Sequence, residues 1–279
     1  MRVDGRTALL GLVGNPITHT LSPRIQNHAL ERLGENVVYL PFEIDEPDLE
    51  PLIELFPRLG GIGLNVTTPF KVAAGRFCSP GDEAARLTGV VNTIVYREGE
   101  PVGFGTDGRG FRAWMSERAI RPAAAGIVLL GFGATCRGIA HEIGSDHALS
   151  IVTRSPERAI RVLEGWFAEG WAGMPARVLS WKDPIPEGPS LVVGGLPSAF
   201  SRSEAVASWL AGVDPACAIV DLNYGAGRTP LRDQARDRGL ATHDGLGLLV
   251  HQAALSLSLW LGSEVSPLLL AEPLAGEAQ

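Results

Sequence analysis

Cysteine is scarce: Cys78, Cys136 and Cys217 are the only three in 279 residues, far apart and never in a C-x-x-C pair. That spacing argues against a disulfide framework or a zinc ribbon and fits a reducing compartment. Aromatic residues make up only 6% and charged ones 20%, beside 45% apolar. This is an ordinary globular balance, with length for two modest domains or one large one. Basic residues are outnumbered by acidic ones, 24 to 31, for a net charge of −7. No chain-wide positive field draws in nucleic acid or an anionic membrane surface, so an anionic ligand needs local donors. Long apolar runs are also missing. The strongest, Leu246 to Leu261, is interrupted by His251 and Gln252 and is not expected to span a membrane. The N-terminus lacks the apolar core and cleavage site of a signal peptide. The expectation is a cytoplasmic protein without nucleic-acid or membrane partners.

What is present is a rhythm of strand, turn and helix. Ala8 to Val13 reads as a buried strand that Gly14-Asn15-Pro16 ends. Ser22-Pro23 reads as an N-cap and first helical position, opening a helix that Gly34 closes. A strand over Val37 to Ile44, a helix from Glu46 and a short strand over Gly63 to Val66 follow. A second block starts near Ala125 with the apolar run Gly126 to Leu130, a glycine turn and a helix to about Ile143. Strands are expected at Leu149 to Val152, Ala176 to Leu179, Leu191 to Val193 and Ala218 to Leu222, with helices opening at Ser155-Pro156 and Thr229-Pro230. This alternation predicts an α/β fold with parallel sheet and helices on both faces. The tail from Ala271 is expected to fray.

Gly131-Phe132-Gly133-Ala134-Thr135-Cys136 stands between a strand and a helix, where a nucleotide-binding turn belongs. Glycines allow a tight turn and close backbone approach, and the helix start offers unpaired N–H groups to a pyrophosphate. A glycine pair in this setting is also, often enough, only a turn. The next strand end sharpens the choice. An NAD site places Asp or Glu there for the ribose hydroxyls, whereas this chain has Thr153-Arg154-Ser155-Pro156-Glu157-Arg158. Two arginines and two hydroxyls suit the 2′-phosphate of NADP, and no acid stands at the first positions to repel it. The bland alternative is a solvated helix start.

Short polar motifs stand at other strand ends: Asn15-Pro16-Ile17-Thr18-His19-Thr20-Leu21-Ser22-Pro23, Asn65-Val66-Thr67-Thr68-Pro69-Phe70-Lys71, Gly89-Val90-Val91-Asn92-Thr93, Gly105-Thr106-Asp107-Gly108, and Asp244-Gly245-Leu246-Gly247-Leu248-Leu249-Val250-His251-Gln252-Ala253. Singly, each reads as turn or cap chemistry, and Lys71 as a surface lysine. Together, in this order and with this spacing, they resemble the shikimate dehydrogenase family along nearly the whole chain. The family patterns are GNPxxHSxSP, NVTxPFK, GAVNT, NTDGxGF, GAGGAxR, NRTxxR and DGxGMLVxQAA.

The resemblance implies an α/β substrate domain, residues 1–106 with 245–279, and a Rossmann-like, doubly wound NADP domain, residues 107–244, with the active site between them. It implies Lys71 as catalytic acid/base with Asp107 as its partner, both at the reacting hydroxyl. Thr20 and Ser22 are expected at a substrate carboxylate, and Thr67, Asn92, Asp107, Tyr224 and Gln252 around the ring. Gly131, Phe132, Gly133, Ala134, Thr135, Thr153, Arg154, Ser155, Arg158, Leu222 and Gly245 are expected to hold NADP. No metal is implied, and the assembly is expected to be a monomer or homodimer. The implied reaction is reversible reduction of 3-dehydroshikimate to shikimate, in the supply of chorismate and aromatic amino acids.

The chain departs from the family at several points. Thr20 replaces a serine, Phe132 a small residue, Ala134 a glycine and Leu248 a methionine, and Gly194-Gly195-Leu196-Pro197-Ser198 stands where Asn-Ala-Thr-Pro is usual. Two other readings stay open: a paralogue acting on quinate, aminoshikimate or another hydroxylated ring acid, and a dinucleotide-binding protein without turnover.

Overall fold

Strand ends supply the polar motifs, and strand order decides which motifs meet. The computed structural model describes residues 3–122, 126–186, 188–225 and 227–276. It divides into two units, Met1–Gly110 with Leu249–Gln279, and Phe111–Leu248.

The first unit is built from β1 (Ala8–Gly14), α1 (Ser22–Leu33), β2 (Val37–Glu43), α2 (Leu49–Leu55), β3 (Gly61–Val66), α3 (Lys71–Ala74), β4 (Ser79–Pro80), α4 (Glu83–Thr88), β5 (Thr93–Arg97), β6 (Glu100–Phe104) and the start of α5 (Thr106–Glu117). The chain returns to it in α11 (Leu246–Leu261) and α12 (Pro267–Ala271). Its sheet runs β2-β1-β3-β5-β6-β4. This sheet is mixed rather than parallel, because β5 runs antiparallel to both β3 and β6. The reversal is a two-residue turn at Glu98-Gly99 with φ of 54° and 88°, the backbone that tight hairpins need. Val13, Ile53, Phe56, Leu64, Val66, Phe70, Val91 and Ile94 form its core on one side of the sheet.

The second unit holds β7 (Ile127–Leu130), α6 (Ala134–Ile143), β8 (Leu149–Val152), α7 (Pro156–Ala168), β9 (Arg177–Leu179), β10 (Leu191–Gly194), α8 (Ser198–Ser201), α9 (Glu204–Ala211), β11 (Ala218–Asp221), α10 (Pro230–Arg236) and β12 (Ala241–His243). All its strand pairs are parallel, in the order β12-β11-β10-β7-β8-β9. Chain order reverses between β7 and β10, which is the topology of a doubly wound Rossmann-like sheet. The expected block start at Ala125 lies outside the described residues.

Helices open at Ser155-Pro156 and Thr229-Pro230 as expected, and the start of α1 is shifted by one residue. Leu21, not Ser22, is the N-cap of α1, and Ser22 is its first residue; Gly34 closes the helix at φ 75° as expected. Ser155 and Thr229 occupy N-cap positions but make no side-chain cap bond. At α10 the cap comes from elsewhere: Asp221, fully buried at the end of β11, accepts from the backbone N–H groups of Leu231 and Arg232. Residues past Ala271 do not fray at once, since Glu272–Leu274 form a 3₁₀ turn with Leu274 buried.

Gly63 shows how closely α11 lies on the first sheet. A Cβ there would stand 2.0 Å from Trp260 Nε1, and that indole N–H donates to the Ile94 carbonyl at 2.9 Å. Gly63→Ala is expected to push the indole off its acceptor and to lower stability by about 1–3 kcal/mol. Urea unfolding of the full chain checks this, and an unchanged midpoint would refute the close fit.

Candidate functional site

The order β1-β3-β5-β6 brings four polar motifs to one end of the first sheet. Asn15 N–H donates to the Thr68 carbonyl at 3.1 Å and Thr67 N–H to Val13 at 2.9 Å, tying the loop after β1 to the loop after β3. Val66 N–H donates to Asn92, and Asn92 N–H to Phe104, adding the start of β5 and the end of β6. Gly14 makes room for this crossing: a Cβ there would meet Thr67 Cγ2 at 2.4 Å.

Lys71 opens α3 and is buried, and its Nζ donates to Asp107 Oδ2 at 2.6 Å. Asp107 sits in the first turn of α5, also buried. Asn92 Nδ2 donates to Asp107 Oδ1 at 3.1 Å, to Thr106 Oγ1 at 2.7 Å and to Gln252 Oε1 at 3.3 Å. The Asn92 carboxamide is oriented from its other end, where Oδ1 accepts from Thr106 N–H at 2.7 Å. Four residues expected from sequence, Lys71, Asp107, Asn92 and Gln252, thus form one bonded group. A lysine and a carboxylate so joined can exchange a proton with a third oxygen brought to them.

Behind this group lies a buried polar knot that sequence reading passed over. Asn65 donates to Thr93 Oγ1 at 3.2 Å, to Ser256 Oγ at 3.0 Å and to the Asn92 carbonyl at 3.0 Å, and accepts from the Tyr39 hydroxyl at 2.8 Å. Thr93 and Ser256 share a hydrogen bond at 2.7 Å. Buried polar groups satisfied in this way hold one arrangement. Thr20 and Ser22 form a pair of their own at the start of α1, where Ser22 N–H donates to Thr20 Oγ1 at 3.2 Å. That bond uses the threonine oxygen as acceptor and leaves its O–H to donate. Thr67 is half-buried in the loop between β3 and α3.

The expected cofactor residues lie in the second unit, at the strand ends beside its switch point. Gly131 has φ 92°, and a Cβ on it would meet the Gly195 carbonyl at 3.0 Å, so the β7 and β10 loops touch through glycine. Gly133, the N-cap of α6, has open space where a Cβ would project. A phosphate-bearing dinucleotide fits these residues: the turn carries no side chain at Gly131 and Gly133, and α6 presents its first N–H groups beyond it. Ala134 and Thr135 form that first helical turn. Thr153 Oγ1 accepts from Ser155 N–H at 3.4 Å, while Arg154 and Arg158 are exposed at the neighbouring strand end. Leu222 and Gly245 come together, since a Cβ on Gly245 would lie 2.1 Å from the Leu222 carbonyl. Asn223 joins these loops by donating to the Leu196 carbonyl at 2.9 Å and to Asp221 at 2.8 Å. Burial pushes the Asp221 carboxyl up, against the downward pull of these N–H donors. Tyr224 is half-buried in the same loop. Cys136 Sγ occupies the space beside Gly195, where a Cβ would stand 2.2 Å from it, so the absence of a side chain at Gly195 makes room for the thiol.

No described helix is long and apolar enough to cross a membrane, and no group of three His, Cys, Asp or Glu among the described residues could hold a metal. A doubly wound sheet with a glycine turn at its switch point, in a chain that carries a buried Lys–Asp pair, defines an oxidoreductase of the dinucleotide-using class. The shikimate dehydrogenase substrate binding domain family matches residues 12–94. A shikimate dehydrogenase (NADP(+)) of Methanopyrus kandleri is 34% identical over 271 residues, covering 94% of this chain and 93% of its own. Shikimate 5-dehydrogenase from Listeria monocytogenes, solved with shikimate and NAD, superposes with a TM-score of 0.83 at 26% identity, over 98% of each chain. A ligand-free 5-ketofructose reductase of Gluconobacter sp. strain CHM43 shares the fold, with a TM-score of 0.79 at 23% identity over 98% of this chain and 99% of that one. The chain belongs to the shikimate dehydrogenase family.

Proposed function

We propose that this protein is an NADP-dependent dehydrogenase that interconverts 3-dehydroshikimate and shikimate in the cytoplasm. The reading is carried by the meeting of Lys71, Asp107, Asn92 and Gln252, from four separate motifs, in one buried group. NADP, when bound, supplies the nicotinamide carbon that gives or takes the hydride. Lys71, as the ammonium paired with Asp107, donates a proton to the ketone oxygen as it gains negative charge. In the oxidative direction the neutral amine takes that proton from the hydroxyl. Asp107 holds the Nζ in place from one side, and Asn92 and Gln252 present amide groups to the ring hydroxyls. Thr67 brackets the ring, and Tyr224 is assigned to it from the family pattern alone. Gly131, Phe132, Gly133, Ala134 and Thr135 would hold the pyrophosphate; Thr153, Arg154, Ser155 and Arg158 the 2′-phosphate; Leu222 and Gly245 the nicotinamide side.

A second reading, a paralogue for another hydroxylated ring acid, draws on Thr20. Its extra methyl group lies beside the oxygen that accepts from Ser22 N–H. Initial rates with shikimate, quinate and aminoshikimate, read as reduced nicotinamide by absorbance, separate the two. The expected result is the highest kcat/KM with shikimate; clear preference for quinate would put the second reading first. Thr20→Ser is expected to change KM more than kcat, because a carboxylate is remote from the transferred hydride. Removing both hydroxyls should cost much more, since a buried carboxylate loses two partners.

A further inference from the structure

Beyond the residues just assigned, one cation is placed where a phosphate would complete it. β7 and β8 are neighbours in register, Leu130 opposite Val152, and Gly131 N–H donates to the Val152 carbonyl at 2.8 Å. The first turn of α6 and the segment Thr153 to Arg158 therefore share one end of the sheet. Arg137 rises from that first turn, its N–H bonded to the Gly133 carbonyl at 2.9 Å. Its guanidinium carbon stands 5.8 Å from the centre of the Phe132 ring, and its Nε donates to the Phe132 carbonyl at 3.4 Å. Phe132 is itself packed against Trp166 at 5.9 Å. Arg154 is set in the same manner, 5.5 Å over Phe200.

Aromatic faces hold these guanidiniums by cation–π attraction and leave their N–H edges free of carboxylates. Among the described residues no carboxylate forms an ion pair with Arg137, Arg154 or Arg158. The charge that bears on Arg137 is that of Arg158, and with burial it pulls the Arg137 guanidinium below its ordinary range. Cations gathered without a counter-charge, one of them half-buried, gain most from a dianion with several acceptor oxygens.

We infer that Arg137, seated on Phe132, is a third guanidinium contact for the 2′-phosphate and a determinant of preference for phosphorylated dinucleotides. The inference rests on the NADP reading of this strand end. It also gives Phe132 a purpose. The aromatic ring that departs from the family's small residue is the platform that positions Arg137, and its side chain reaches the 2′-phosphate through that arginine.

The test is calorimetric binding of adenosine 2′,5′-bisphosphate and of 5′-AMP to the full chain, so it does not depend on turnover. Wild type should bind the bisphosphate more tightly. Arg137→Gln should weaken the bisphosphate about tenfold and leave 5′-AMP within twofold. Arg137→Lys should recover part of the loss. Phe132→Leu should weaken the bisphosphate a few-fold, and Phe132→Tyr should restore it, which a merely structural role would not produce. Unchanged bisphosphate binding in Arg137→Gln, or equal loss of both ligands, overturns the inference. If Arg154→Gln abolishes the preference while Arg137→Gln keeps it, the inference alone fails. If wild type shows no preference, the NADP reading fails with it.

Discussion

Replacing Lys71 by methionine should lower kcat by about 10²–10⁴-fold and leave KM for the ring acid near that of the wild type. Methionine has the length of the lysine stem but no proton to give. The loss should therefore fall on the step in which the substrate oxygen changes charge. The substitution also strands Asp107, which is buried and bonded to Lys71 Nζ at 2.6 Å. Removing one partner of a buried pair destabilises by about 3–5 kcal/mol, so circular dichroism must show that the variant is folded before rates are compared. Lys71→Arg keeps the charge but replaces a compact ammonium by a planar fork, and should retain the fold while losing most turnover. Turnover of Lys71→Met within a few-fold of wild type would remove Lys71 from the chemistry.

The second large effect concerns cofactor choice. Changing Arg154 and Arg158 together to alanine should weaken NADP by roughly ten- to a hundredfold while NAD changes little. Both side chains are exposed, so solvent and salt screen them, and the loss should shrink as ionic strength rises. Titration of each dinucleotide at two salt concentrations reads both features. A wild-type preference for NAD would show that this strand end does not read a 2′-phosphate.

These residues were legible because each motif carries its own punctuation at a strand end. Gly14-Asn15-Pro16 and Gly131-Phe132-Gly133 announce a turn whatever packs around them, and Gly34 closes α1 for a reason contained in its own backbone. What escaped depends on distant partners. Ser256 sits in an apolar helical run and is fully buried, yet its role comes from Asn65 and Thr93, 191 and 163 residues away. The β5–β6 hairpin turns on Glu98-Gly99, and glutamate at positive φ carries no hairpin signal of the Asn-Gly kind. Thr229-Pro230 marks where α10 opens, yet the Thr229 side chain does not cap it. The cap comes instead from Asp221, which only the fold of the β11 loop brings near. The seat of Arg137 on the Phe132 ring is likewise set by the fold of the turn and is not contained in the spacing of the motif.

The return of the chain in α11 sets an order of events at the ribosome. Phe111–Leu248 emerges as one uninterrupted stretch whose strands pair only with each other, and it can close as soon as β12 is out. The first unit, although synthesised earlier, must wait. Asn65 meets Ser256, Tyr39 meets Trp260 and Asn92 meets Gln252 only after the last segment has left the exit tunnel. The usual sequence, in which the N-terminal domain is finished first, is thereby inverted. The half that carries Lys71 and Asp107 becomes competent last, and a nascent chain released before α11 holds a finished dinucleotide fold beside an open sheet.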